Sequence, residues 1–114
     1  MAFSYMILDD VLVAEPTAAV EGVSKVARSR RGFVRAYEKS DGRPDYMGVE
    51  KKTQEDWTQR RENFIARHMA QVKKRKEPLW EGGEPTRRHL ALMMWAYTPT
   101  PARTEDWIDS LGDE

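Results

Sequence analysis

Cysteine is absent from the chain, which excludes disulfides and thiolate metal sites and leaves the redox compartment open. No apolar run approaches the roughly 18–20 residues that a membrane span requires. The only histidines are His68 and His89, and neither stands in an HExxH-like pattern or beside a third donor at ligand spacing. They are expected to be hydrogen-bonded side chains beside the core, with no metal and no other cofactor. Ser24 and Ser29 have no nucleophile-elbow or triad context around them. Gly82-Gly83 precede EPTRRH rather than a Lys-Ser/Thr pair, so a phosphate-cradling loop is missing too. These absences lead us to expect a protein that is not an enzyme.

Net charge is also missing, but only on average: 19 basic residues meet 19 acidic ones. Residues 1–23 hold four acids and no Lys or Arg, a net of −4. Residues 24–91 hold 18 basic and 10 acidic residues, a net of +8, and residues 92–114 set Arg103 against five acids, a net of −4. A basic centre between acidic ends implies an anionic partner for the middle, or ends that fold back onto it.

What is present is a charge-rich, helix-forming pattern of a size that suits one small core. The N-terminal stretch MAFSYMILDDVLVAEP has no basic start and carries Asp9 and Asp10 inside its apolar run, so it is expected to belong to a mature, intracellular chain. Pro16 is expected to end this apolar, acidic arm, which either docks on its own domain or inserts into a neighbour. Val23, Val26, Ala27, Phe33, Val34 and Tyr37 recur at helical spacing and predict a helix over about 23–39, with Ser24 as N-cap and Gly42 as stop.

A second helix is predicted over about 54–75, opened by a Thr53/Asp56 capping box. Trp57, Arg61, Phe64 and His68 share one stripe, widened by Ile65, Met69 and Val72. The Gly/Pro-rich EPLWEGGEP reads as a turn into a third helix over about 86–97, making a helical hairpin. In that third helix HLALMMWAY is apolar on every face, as befits a helix surrounded by protein. A last short helix, TEDWIDSLG, is expected to start at a Thr104 cap. The fold class is therefore all-α, three main helices plus a short C-terminal one, organised as an N-terminal arm (1–22), a basic helical domain (23–101) and an acidic C-terminal helix or tail (102–114). Its core is expected around Phe33, Tyr37, Trp57, Phe64, Leu90, Met94 and Trp95.

Four basic clusters carry the functional signal: Arg28-Arg30-Arg31, Arg60-Arg61, Lys73-Lys74-Arg75-Lys76 and Arg87-Arg88. Cations in the last turn of a helix are favoured by its dipole, which accounts for part of the KKRK run. Arg87 and Arg88 stand at a helix start, against the dipole, and so point more strongly to a ligand. Trp57 and Trp95 are assigned to the core, while Trp80 is left open between core and stacking platform. The expected partner is nucleic acid, more readily DNA, held through its phosphates without base-specific readout, since no recognition helix is evident.

The stretches SKVARSRRGFVRAY, RRENFIARHMAQVKKRKEPLW and GEPTRRHLALMMWAYTPTP resemble a small uncharacterised domain of bacteriophages, large DNA viruses and some marine bacteria. The resemblance covers about residues 24–101, and RRHLALMMWAY is its most specific part. SDGRPDYMGVEKKTQED is longer and more acidic than the pattern, and both ends are peculiar to this chain. The family has no assigned activity, so no catalytic residues carry over. The resemblance implies a viral, phage-type setting, in the virion or the host cytoplasm. It allows two roles: binding the genome, or serving as a small virion or assembly protein that docks on other subunits through the arm and the acidic tail while its basic face meets an acidic protein surface.

Overall fold

A computed structural model describes residues 3–23 and 32–112. The described chain is mostly helical, with five α-helices, one short 3-10 turn and a minimal two-stranded sheet. The helical character agrees with expectation, and the described helices depart from the expected ones mainly at their ends.

Residues 3–7 run extended into α1 (Leu8–Val20), whose first turn carries Asp9 and Asp10 where the helix dipole favours acids. Pro16 does not end this segment but lies inside the helix, exposed. Its missing N–H costs one backbone bond, yet Val11, Ala14 and Ala18, three and four residues apart, are all wholly buried, and that packing carries the helix through. The arm is thus docked at home: α1 packs on the helices Phe33–Lys39, Arg87–Met93 and Pro101–Gly112. Gly22, at φ +81°, then closes α1, with Val23 N–H donating to the Ala18 carbonyl at 2.9 Å.

The helix expected over 23–39 is described only at its end, as α2 (Phe33–Lys39). Gly32 before it is extended, and the proposed Ser24 cap lies outside the described residues. The stop comes earlier than Gly42: Asp41 turns left-handed at φ 58°, and Gly42 N–H reaches back to the Tyr37 carbonyl at 2.9 Å. Gly42 itself has φ +73°, and a Cβ there would crowd the Leu8 Cβ at 3.2 Å, so glycine suits both the left-handed turn and the close start of α1. An ion pair from Arg35 to Glu15 (2.8 Å) ties α2 to α1 and is one point where an acidic end folds onto the basic middle.

After the 3-10 turn Pro44–Tyr46, a loop closed by a bridge between Val49 and Asp56 leads into α3 (Trp57–Arg75). The N-cap is Asp56, not Thr53: its carboxylate accepts from the Thr58 and Gln59 N–H groups at 2.8 and 3.3 Å. Helix α3 buries Trp57, Arg61 and Ile65 at i, i+4, i+8 and ends at left-handed Lys76 (φ 52°).

The EPLWEGGEP turn contains a small antiparallel ribbon, β1 (Trp80–Glu81) and β2 (Glu84–Pro85), with Trp80 opposite Pro85. Gly82 and Gly83 form its two-residue loop with φ +58° and +81°, a pair of positive angles that glycine adopts without penalty. Helix α4 (Arg87–Met93) follows, capped by the Thr86 hydroxyl, and packs against α3. It is much shorter than 86–97, because Ala96 turns left-handed (φ 57°) and Tyr97 N–H caps the Leu92 carbonyl at 3.1 Å. Helix α5 (Pro101–Gly112) starts at a proline, three residues before the expected Thr104 cap. Thr104 is instead buried within the helix, and Trp107 and Ile108 seal the core while Leu111 remains exposed.

The core joins all these elements: Met6, Val11, Phe33, Tyr37, Trp57, Leu90, Met94, Trp95, Trp107 and Ile108 belong to one cluster, with Phe64 packed against it half-buried. No helix among the described residues is long and apolar enough to cross a membrane.

Candidate functional site

A half-open groove of about 890 Å³ runs between α3 and α4. Phe64, Ala91 and Trp95 supply its apolar surface, Arg60, Arg67, Arg87 and Arg88 its cations, and Glu55 and Glu77 its carboxylates. Arg60, Arg67 and Lys74 are seven residues apart on α3, which sets them in one line along the helix about 10.5 Å from one to the next.

The structure separates the expected site residues sharply. Arg28, Arg30 and Arg31 lie outside the described residues. Arg61 is wholly buried and is no surface cation. It donates to the Trp95 carbonyl (2.7 Å), the Ala96 carbonyl (3.0 Å), the Phe3 carbonyl (2.8 Å) and the Ser4 carbonyl, and its guanidinium lies over the Tyr5 ring at 3.6 Å. Arg61 therefore caps the end of the α4 turn and pins the N-terminal segment, which removes it from any phosphate-binding set.

Arg60 is half-buried beside Trp57, bonded to the Thr53 hydroxyl at 3.0 Å and 3.8 Å from Glu55. Arg88 also has a structural partner. It grips both Glu77 oxygens at 2.8 and 3.0 Å and donates to His68 Nδ1 at 2.8 Å. Its place against the helix dipole is thus explained by Glu77. Arg87 beside it is exposed, as are Lys73, Lys74, Arg75 and Lys76, and among these described residues only Arg75 approaches a carboxylate (Glu77, 3.9 Å). Arg67, absent from the expected set, is equally exposed and unpaired among the described residues. Its heptad spacing from Arg60 and Lys74 is the signal that would have included it.

Burial holds the His68 pKa below its ordinary value, with Arg88 and Arg67 adding to the effect. A guanidinium only donates, so Nδ1 of neutral His68 accepts and Nε2 carries the proton. Hydrogen bonding from Arg88 holds the Glu77 carboxyl below its usual range.

His89 belongs to a separate, buried network. Its Nδ1 lies 3.0 Å from the Leu79 carbonyl, which can only accept, so Nδ1 is protonated and Nε2 accepts from the Thr98 hydroxyl at 2.8 Å. Thr98 is 2.6 Å from Thr104, Thr104 is 3.2 Å from Thr100, and Thr100 accepts from the Trp80 indole at 3.2 Å. Every proton in the chain then points one way, toward neutral His89. Burial drives its pKa down to about 4. Trp80 is claimed by this network and by Arg103, whose guanidinium lies over its ring at 4.4 Å, so its role is structural and it offers no free stacking platform. Among the described residues no three His, Asp or Glu side chains gather as a metal-ligand group.

Comparison with protein-family models, curated proteins and solved structures finds no match for this chain.

Proposed function

We propose that this protein binds nucleic acid, without reading base sequence, through the cationic groove and the adjoining end of α3. One observation carries the reading: Arg67, Lys73, Lys74, Lys76 and Arg87 are exposed and free of carboxylate partners among the described residues. Asp10 of α1 interacts electrostatically with Glu105 and Asp109 of α5, outside the groove lining, while the groove's own Glu55 and Glu77 face Arg60 and Arg88. Phosphates are the ligand that such a row of unpaired cations suits, and the binding needs no catalytic group. The viral setting rests on the resemblance of residues 24–101 alone. The alternative role, a virion protein docking through its arm and tail, is weakened because Val11, Ala14, Ala18, Trp107 and Ile108 are already committed to this molecule's own core.

The test is duplex DNA binding by fluorescence anisotropy between about 50 and 200 mM salt. Affinity is expected to fall steeply with salt, and replacing Arg67, Lys74 and Arg87 by Ser is expected to flatten the log–log slope by about 0.9 for each phosphate no longer neutralised. The melting temperature should hold. Salt-independent binding, or no binding of either duplex or single-stranded DNA at the lowest salt, refutes the reading.

A further inference from the structure

Four near-parallel rings lead from the core to the groove. Phe33 stacks on Trp95 with centroids 5.2 Å apart and planes at 23°, Trp95 on Phe64 at 4.5 Å and 16°, and Phe64 on His68 at 4.0 Å and 25°. Phe33 and Trp95 are buried, whereas Phe64 and His68 are half-buried and line the groove. Among the described residues no ring other than Phe64 packs on His68. The imidazole is also locked in its plane, since Arg88 holds Nδ1 at 2.8 Å and Glu77 holds Arg88. Two cations without a carboxylate partner among the described residues line the same groove: Arg67, next to His68 on α3, and Arg87, next to Arg88 on α4.

A neutral ring, fixed in orientation, covered on one face and set in a cationic groove, has the properties of a stacking platform. Resting on the nucleic-acid reading above, we propose that His68 takes an unpaired nucleobase as the next ring of this series, with the flanking phosphates on Arg67 and Arg87. The ligand class is then single-stranded nucleic acid. Inside a duplex both faces of each base are already stacked, so a paired strand has no face to offer. Every base has a π face, so the platform adds strand selectivity without sequence selectivity.

The test compares three probes on the full chain: a short labelled oligothymidylate, an abasic strand with the same number of phosphates, and a duplex. The oligothymidylate is expected to bind about 10-fold or more tightly than the abasic strand, with the same salt slope. His68→Ser is expected to bring the oligothymidylate down to the abasic affinity, and His68→Phe, which keeps a stacking face, to preserve the difference. Circular dichroism melts check that both variants fold; should His68→Ser fail to fold, the wild-type comparison of normal and abasic strands decides. Equal binding of those two strands by the wild type, or a difference that survives in folded His68→Ser, overturns the platform and leaves charge-based binding standing. Failure of all three probes to bind at low salt overturns the nucleic-acid reading and the platform with it.

Discussion

Arg61 donates to four backbone carbonyls and forms no ion pair with a described carboxylate. Two of these carbonyls, Trp95 and Ala96, lie in the turn just after α4, so backbone carbonyl dipoles stand in for a counter-ion. Burial lowers its pKa, but an arginine retains its charge at neutral pH. Arg61→Met keeps much of the volume but leaves buried carbonyls without donors. It is expected to cost about 3–5 kcal/mol in urea denaturation. A variant as stable as the parent would show that Arg61 does not hold the fold. The sequence placed Arg61 on the Trp57–Phe64–His68 stripe, but as one of the expected ligand-binding cations and not as a buried residue. Its partners were not legible, since all four come from residues 34 to 58 positions away. His89 supplies a pH dependence. Its folded pKa of about 4 lies below the ordinary value of 6.5, so the unfolded chain binds the proton first. The associated stability is present above pH 6.5 and is lost as pH falls toward 4, by about 3 kcal/mol in total. Denaturation midpoints measured across that window should show the loss in the parent and not in His89→Gln.

At the scale of elements, helix interiors followed the apolar period while helix ends did not. Asp41, Lys76 and Ala96 all adopt left-handed φ at the ends of α2, α3 and α4, where a sequence reading looks for glycine. Each end is fixed by backbone bonds reaching back five residues, such as Glu77 N–H to the Val72 carbonyl at 3.1 Å, and by packing beyond it. Lys76 is exposed, so Lys76→Gly removes the left-handed penalty without disturbing the core. It is expected to stabilise the protein by about 1 kcal/mol, read as a raised melting temperature. A lowered melting temperature would mean that the Lys76 side chain supports the cap. The ribbon at Gly82-Gly83 illustrates the reverse case. The two glycines marked a turn, but pairing of Trp80 with Pro85 depends on Leu79 and Thr86 being held together by the Thr86 N–H to Leu79 carbonyl bond at 3.0 Å.

At the scale of the molecule, the sequence by itself determined that the protein is mostly helical, that Phe33, Tyr37, Trp57, Leu90, Met94 and Trp95 belong to its core, and that charge is segregated along the chain. The physical reason is that helical periodicity and net charge are local properties, readable within a few turns. Tertiary structure decided which cations face outward. Arg61 and Arg88 were indistinguishable from Arg67 and Arg87 in composition, yet the first pair meets carbonyls, Glu77 and His68, and the second meets solvent. It also decided the fate of the arm, because the surface that receives Val11, Ala14 and Ala18 exists only once α2, α4 and α5 have assembled. Only that assembly stacks Phe33, Trp95, Phe64 and His68, residues spread from 33 to 95, and so sets a ring in a groove that no local pattern encodes.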